Sequence, residues 1–202
     1  MDLKIIVPTH IWEFEPIQRM WFTNLEDSIL LFNHLDKIDY IKDGKGFGHI
    51  DIELIHEQGE APSGRNVRQK YTNIYADKDV WVHWLDNDNL IQVSVIEKLM
   101  EITSMPKIIM FGQFWHTNGI KRLNAKAENC LPARCDIAQL FVHGSFLKDM
   151  VWSADYENDG QFIAELHKRY PNDFIFVNDV NVWYNALKPH STLYNGQIIT
   201  IA

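Results

Sequence analysis

From Leu3 to Val7 the chain is apolar but for Lys4, and it stops at Pro8-Thr9-His10. Such a run predicts a buried strand. After Pro16, tolerated in a first helical turn, Ile17, Met20, Trp21, Leu25, Ile29, Phe32 and Leu35 recur at helical spacing on one face. Lys37 to His49 is short and glycine-dotted and reads as a loop, preceded by a short strand at Ile38 to Ile41. Ile50 to Ile55 alternates apolar and acidic residues, the period of a strand. Gly59 to Gly64 is a loop, and Arg65 to Tyr75 is expected to be helical with Val67, Tyr71, Ile74 and Tyr75 on one side. Val80 to Leu85 is almost wholly apolar and ends at Asp86-Asn87-Asp88. Val93 to Ile102 follows as a helix with Val95, Ile96, Leu99 and Met100 facing inward. Strands alternating with helices imply an α/β protein with a parallel sheet.

The second half changes character. Lys107 to Phe111 reads as a strand, and Phe114 to Thr117 with Ile120 to Leu123 flank Asn118-Gly119, a strong hairpin signal. Ile137 to Val142 is a further expected strand. Asn158 or Asp159 would cap a helix reaching Tyr170, with Phe162, Ile163, Leu166 and Tyr170 apolar. Phe174 to Val177 and Val182 to Tyr184 close the pattern as two strands. No repeat or linker divides the chain, so 1–202 is expected to form one domain. Its first half, 1–103, resembles a nucleotide-binding unit, and 104–202 forms a mixed, acceptor-like half.

Two acids spaced by one residue at the end of a buried strand are the main chemical signal. Ligands of open α/β sheets sit at the carboxyl ends of strands, so Asp86 and Asp88 would share one small volume there. Carboxylates held together repel unless a cation or proton intervenes, and hard oxygen ligands suit Mg2+ or Mn2+. Asp and Asn are also ordinary turn formers, so spacing alone leaves both readings open. An EF-hand counted from Asp86 fails, because Leu90 and Ile91 stand where a ligand and a glycine are needed. Neither G-x-G-x-x-G nor a Walker lysine motif occurs.

Composition narrows the classes. The 202 residues are 46% hydrophobic and 12% aromatic, which is globular; net charge is -8 and the pI about 5.5, which argues against a non-specific nucleic-acid binder. Cys130 and Cys135 do not form CxxC or complete a zinc set; free thiols in a reducing compartment are the expectation, with a local disulfide as the alternative. The start is too short and acidic for a signal peptide, and no apolar run approaches a membrane span. A soluble, cytoplasmic protein is the expectation, with any membrane contact peripheral.

The ordered set of motifs resembles family 2 glycosyltransferases. Leu3-Lys4-Ile5-Ile6-Val7-Pro8-Thr9-His10 is similar to their opening strand. Ser63-Gly64-Arg65-Asn66, then a helix, then Trp84-Leu85-Asp86-Asn87-Asp88 is similar to their Ala-Arg-Asn and Leu-Asp-x-Asp segments. Asp136-Ile137-Ala138-Gln139, Trp152, Asn158-Asp159-Gly160-Gln161-Phe162 and Trp183-Tyr184-Asn185-Ala186-Leu187 are similar to their acceptor half.

The resemblance implies a GT-A fold: a Rossmann-like, mixed but mostly parallel sheet flanked by helices. It implies inverting transfer of a sugar from a nucleoside diphosphate, a UDP-sugar, to a glycan or glycolipid acceptor in polysaccharide biosynthesis. Mn2+ or Mg2+ would bridge Asp86 and Asp88 to the diphosphate, with His190 as a further ligand. Thr9, Asp43, Arg65 and Asn87 would join Asp86 around the nucleotide. Asp159 would be the catalytic base, with Asp155 in reserve. Asp136, Trp152 and Asp155 would meet the sugar or acceptor, and Trp115, Trp183 and Tyr184 are further aromatic candidates for stacking. The chain departs from the family pattern in three places. The acidic pair after the second strand is reduced to Asp43, one helix of the nucleotide-binding half is missing, and the usual Glu-Asp is Asn158-Asp159.

Each residue also has an ordinary structural role: Asp159 as a helix N-cap, Arg65 as a surface ion pair, Asp136 as the start of a strand, His190 as an exposed loop residue, the aromatics as core. Two other functions compete. One is a catalytically degenerate protein that binds a nucleotide sugar or glycan. The other, a nucleotidyltransferase, normally has a glycine- and basic-rich loop where this chain has Thr9-His10-Ile11-Trp12-Glu13.

Overall fold

A computed structural model describes residues 1–9, 38–39, 51–58, 64–86, 89–91, 93–102, 105–115 and 120–184. Its strands are β1 (Asp2–Thr9), β2 (Ile38–Asp39), β3 (Asp51–Gln58), β4 (Trp81–Trp84), β5 (Leu90–Ile91), β6 (Ile108–Trp115), β7 (Lys121–Leu123), β8 (Leu140–His143) and β9 (Phe174–Tyr184). Helices are α1 (Arg65–Tyr75), α2 (Val93–Ile102) and α3 (Asn158–Arg169). The strands form one mixed sheet ordered β2-β3-β1-β4-β8-β6-β9-β5, with β7 paired to β6. Its longest ladders are parallel, β1 with β3 and β6 with β9. A shorter parallel ladder joins β1 to β4. This is the mostly parallel α/β sheet that the alternation of elements implies.

β8 lies antiparallel between β4 and β6. Reversing twice restores direction, so β1, β3, β4, β6 and β9 all run the same way. Their carboxyl ends share one edge, and β8 begins at that edge instead of ending there. The loops after β4 and before β8 therefore converge.

Alternation along each strand sorts the core into two layers. Leu3, Ile5, Trp81, Leu85, Ile109 and Phe111 face Val95, Ile96 and Leu99 of α2. Ile6, Val82, Trp84, Ile108 and Met110 face α1 and α3 on the other side, against Val67, Phe162, Ile163 and Leu166. Trp84 meets Trp152 and Phe162 edge to face, at 5.5 and 5.4 Å between ring centroids, and Trp152 stacks on Phe162 at 4.2 Å. α1 starts where Gly64 adopts φ 62°, a left-handed conformation. A Cβ there would stand 2.3 Å from Pro8 Cβ, so only glycine lets α1 approach the end of β1 so closely.

Four expectations change. Ile137 to Val142 is a strand only from Leu140, because Asp136 and Gln139 form a capping box around a single 3-10 turn at Ile137–Gln139. Phe174–Val177 and Val182–Tyr184 belong to one strand, β9, whose register shifts opposite Gly112. The buried face of α1 is Val67, Arg68, Thr72 and Tyr75, and Ile74 is exposed. Asp159 is not the N-cap of α3; it sits in the first turn, after Glu157 in the cap position. The hairpin strands β6 and β7 pair as expected. Both cysteines are free. The helix expected after Pro16, the loop from 40 to 49 and the turn at 116–119 lie outside the described residues.

Candidate active site

Three carboxylates meet at the shared edge. Asp86 follows β4, where Leu85 extends the ladder by donating its N–H to the Ile6 carbonyl at 2.9 Å and Asn89 closes a turn onto the Asp86 carbonyl at 3.0 Å. Asp136 stands before β8; its Oδ1 accepts the Ala138 N–H at 3.0 Å, while its own N–H donates to Gln139 Oε1 at 3.1 Å. Asp159 projects from the first turn of α3. One oxygen from each lies within 4.8 Å of the other two.

Arg68 holds this group together. It sits on the buried face of α1 with a side chain 3% exposed, donating through Nη2 to Asp86 Oδ1 at 2.5 Å and through Nη1 to Asp159 Oδ1. Its guanidinium carbon lies 5.1 Å from the Trp152 ring centroid, a cation–π contact. The Trp152 indole N–H donates to Thr72 Oγ1 at 2.9 Å, and that hydroxyl donates to the Arg68 carbonyl at 2.8 Å. The Trp84–Trp152–Phe162 cluster thus forms a rigid apolar floor beneath the charges. On the far side Arg122, on β7, donates to Asp136 Oδ2 at 2.8 Å and to Gln113 Oε1.

Burial and crowding set the proton affinities. Burial lifts Asp159 to about 6; Arg68 opposes the rise, and the charges of Asp86 and Asp136 add to it. Asp136 is also raised, by burial and by Asp86, against the pull of Arg122. Burial works against the Arg68 charge, yet Asp159, Asp86 and Asp136 outweigh it and hold its pKa above the ordinary arginine value. Below the sheet edge, His83 is fully buried and pushed down to about 4 by burial. It is therefore neutral, and its Nδ1–H donates to the Leu140 carbonyl at 2.8 Å.

Of the residues singled out in the sequence, Asp86, Asp136 and Asp159 are brought together. Trp152 is beside them but has no exposed surface, so its role is corrected from a sugar-stacking face to support beneath Arg68. Arg65 is exposed at the start of α1 and donates to the Trp152 carbonyl at 2.9 Å, and among the described residues it makes no bond to the carboxylate cluster. Asp155 is exposed and accepts from Gln161 Nε2 at 3.1 Å, also apart from it. Thr9 is the last residue of β1. Asp43, Asn87, Asp88 and His190 lie outside the described residues. The two arginines that bond these carboxylates, Arg68 and Arg122, are the residues sequence reasoning missed. Arg68 shares a face with Thr72 and Tyr75 at helical spacing, and a charged residue on a buried stripe is the signal that points to it.

The donor set suits a hard divalent cation: three oxygen-bearing groups, two of them partly exposed, with no sulfur or imidazole among them. No family model and no curated protein matches the chain. Among solved structures the chain is similar to S. aureus TarS residues 1–349, with a TM-score of 0.52 and 13% identity over 93% of this chain and 61% of that one. It is similar also to the same protein in complex with UDP, with a TM-score of 0.51 and 14% identity over 91% of this chain and 60% of that one. The chain therefore spans about three-fifths of the length of the TarS structures, and what it shares with them is the fold.

Proposed function

We propose that this chain is a nucleotide-sugar-dependent glycosyltransferase with Asp159 as its catalytic base. The observation that carries this reading is the meeting of Asp86, Asp136 and Asp159 around Arg68 at the carboxyl edge of the sheet. The fold it shares with a UDP-bound structure supports the same reading.

Sugar transfer needs a base against the acceptor hydroxyl and positive charge against the leaving diphosphate. With a pKa of about 6, Asp159 is ionised at neutral pH yet far more basic than an ordinary aspartate. Arg68 fixes its orientation and keeps it charged. Attack on the face opposite the leaving group would make the transfer inverting. Asp86, with Asp88, would hold Mn2+ or Mg2+, which supplies Lewis-acid stabilisation of the diphosphate when bound. Asp136 is committed to its capping box and to Arg122, and so positions the loop before β8. Arg65, at the start of α1, would lie beside the nucleotide; a UDP-sugar and a glycan or glycolipid acceptor are the proposed substrates.

A second reading, nucleotide-sugar binding without turnover, is favoured by one observation: Arg68 already occupies both Asp86 and Asp159. Among the described residues no helix is long and apolar enough to cross a membrane.

The test is calorimetric titration with nucleoside diphosphates and nucleotide sugars, with and without Mn2+, on the wild type and on Asp86→Ala/Asp88→Ala. Metal-dependent UDP binding lost in the double variant is the expected result, followed by sugar release from the same donor in a turnover assay. Binding with no turnover on any acceptor selects the second reading. No nucleotide binding to folded protein overturns both.

A further inference from the structure

Beyond Asp136 the sheet edge continues into an aromatic cluster. Arg122 lies with its guanidinium carbon 3.7 Å from the Tyr184 ring centroid and 5.5 Å from that of Trp115, and the two rings meet edge to face at 4.9 Å. Trp115 ends β6 and Tyr184 ends β9, paired across the ladder. Both therefore stand at the edge that carries Asp86. Trp115 is 38% exposed, and Ile120, whose carbonyl accepts the Trp115 N–H at 2.9 Å, is 61% exposed.

This is not a core arrangement. The Arg122 guanidinium is fixed by Asp136 and Gln113 on one side and by two rings on the other, while a large indole is left open beside it. Among the described residues the guanidinium bonds through Nη1 to Asp136 and Gln113. A pyranose has an apolar face of C–H bonds and a rim of hydroxyls. An open indole with fixed N–H donors at its border matches both. Neighbouring strands are ~4.8 Å apart, so the cluster lies roughly 10–15 Å along the edge from β4. That is the reach of a short saccharide. Asp136 links the two places directly, touching Arg122 and lying in the carboxylate group.

We propose that Trp115, Tyr184 and Arg122 form a saccharide subsite that holds the acceptor while its hydroxyl reaches Asp159. The subsite rests on the transferase reading for its role as acceptor site, but not for its binding of sugar. The probes are chito-, cello-, galacto- and manno-tetraose, titrated to millimolar concentration by calorimetry and tryptophan fluorescence. UDP is titrated in parallel. Wild type is compared with Trp115→Ala and Trp115→Phe, each checked for folding by circular dichroism and thermal melting. At least one tetraose is expected to bind the wild type, at least tenfold more weakly to Trp115→Ala and nearly as well to Trp115→Phe, with UDP affinity unchanged throughout. Equal saccharide binding by wild type and Trp115→Ala overturns the subsite. UDP binding with no saccharide binding overturns it too and leaves the donor site standing. Saccharide binding through Trp115 with no UDP binding upholds the subsite and overturns the transferase reading.

Discussion

Replacing Arg68 by methionine isolates the ion pair at the centre of the site. The methionine keeps an apolar stem against Trp152 and removes only the charge and its donors. Arg68 bonds Asp86 and Asp159 from a side chain 3% exposed. Removing one partner of a fully buried pair typically costs about 3–5 kcal/mol, and the partial exposure of Asp86 and Asp159 puts this one at the low end, about 3 kcal/mol. For a chain of this length each kcal/mol shifts the melting temperature by about 2–4 °C, so a fall of roughly 6–12 °C is expected at pH 7.5. The deficit must depend on pH in a definite sense. The Asp159 half of this network exists only while Asp159 is ionised, which in the folded wild type holds above about pH 6. The gap between wild type and Arg68→Met is therefore largest at neutral pH and narrows as pH falls through 6. A companion variant, Arg68→Met/Asp159→Asn, removes the stranded carboxylate and is expected to regain more than half the loss. Thermal and urea unfolding at pH 7.5 and 5.5 supply all the numbers. An Arg68→Met protein within about 1 kcal/mol of wild type at pH 7.5 refutes the reasoning. A double variant no more stable than the single one refutes it as well.

Three further outcomes follow from the same geometry. Asp159→Asn is expected to lower turnover by about 10²–10⁴-fold, the usual contribution of a general base, while UDP affinity measured by calorimetry stays within a factor of a few; unchanged turnover sinks Asp159 as base. Turnover in the wild type should rise with pH and level off above about 6, because the base must be ionised and burial sets its pKa there; a flat profile between pH 5 and 8 contradicts the assignment. Gly64→Ala should destabilise by about 2 kcal/mol or more, since φ is 62° and the new Cβ would meet Pro8 at 2.3 Å; chemical denaturation within about 0.5 kcal/mol of wild type would show that the helix can shift without loss.

How much could be read in advance depended on how local the cause was. α1 and α2 have the expected bounds, because apolar spacing and flanking turns act within one element. The pairing of β6 with β7 was likewise legible in Asn118-Gly119. The late start of β8 was not, because a capping box between Asp136 and Gln139 competes with strand geometry for the same backbone groups. β9 read as two strands because Asn178 and Asp179 look like a turn. In the fold, Asn178 spends its side chain on Ala125, accepting its N–H at 2.9 Å and donating to its carbonyl at 2.7 Å, and the strand continues past the bulge. Asp86 and Asp159 were legible as chemistry since both end or begin an element. Arg68 was not: an arginine in a helix reads as solvated, and its partners are 18 and 91 residues away in sequence. Only tertiary packing brings them to it.

The reversed strand β8 also has a consequence for how the protein is made. Until residues 140–143 have emerged and inserted, β4 offers its Trp81-Val82-His83-Trp84 backbone as an open, apolar edge, the kind of edge that captures other strands. Insertion of β8 therefore both hides this edge and delivers Asp136. Placement of Asp136 and protection from aggregation become one event in the life of the nascent chain. A translational pause or a truncation between residues 86 and 140 should yield insoluble material, not a half-active fragment.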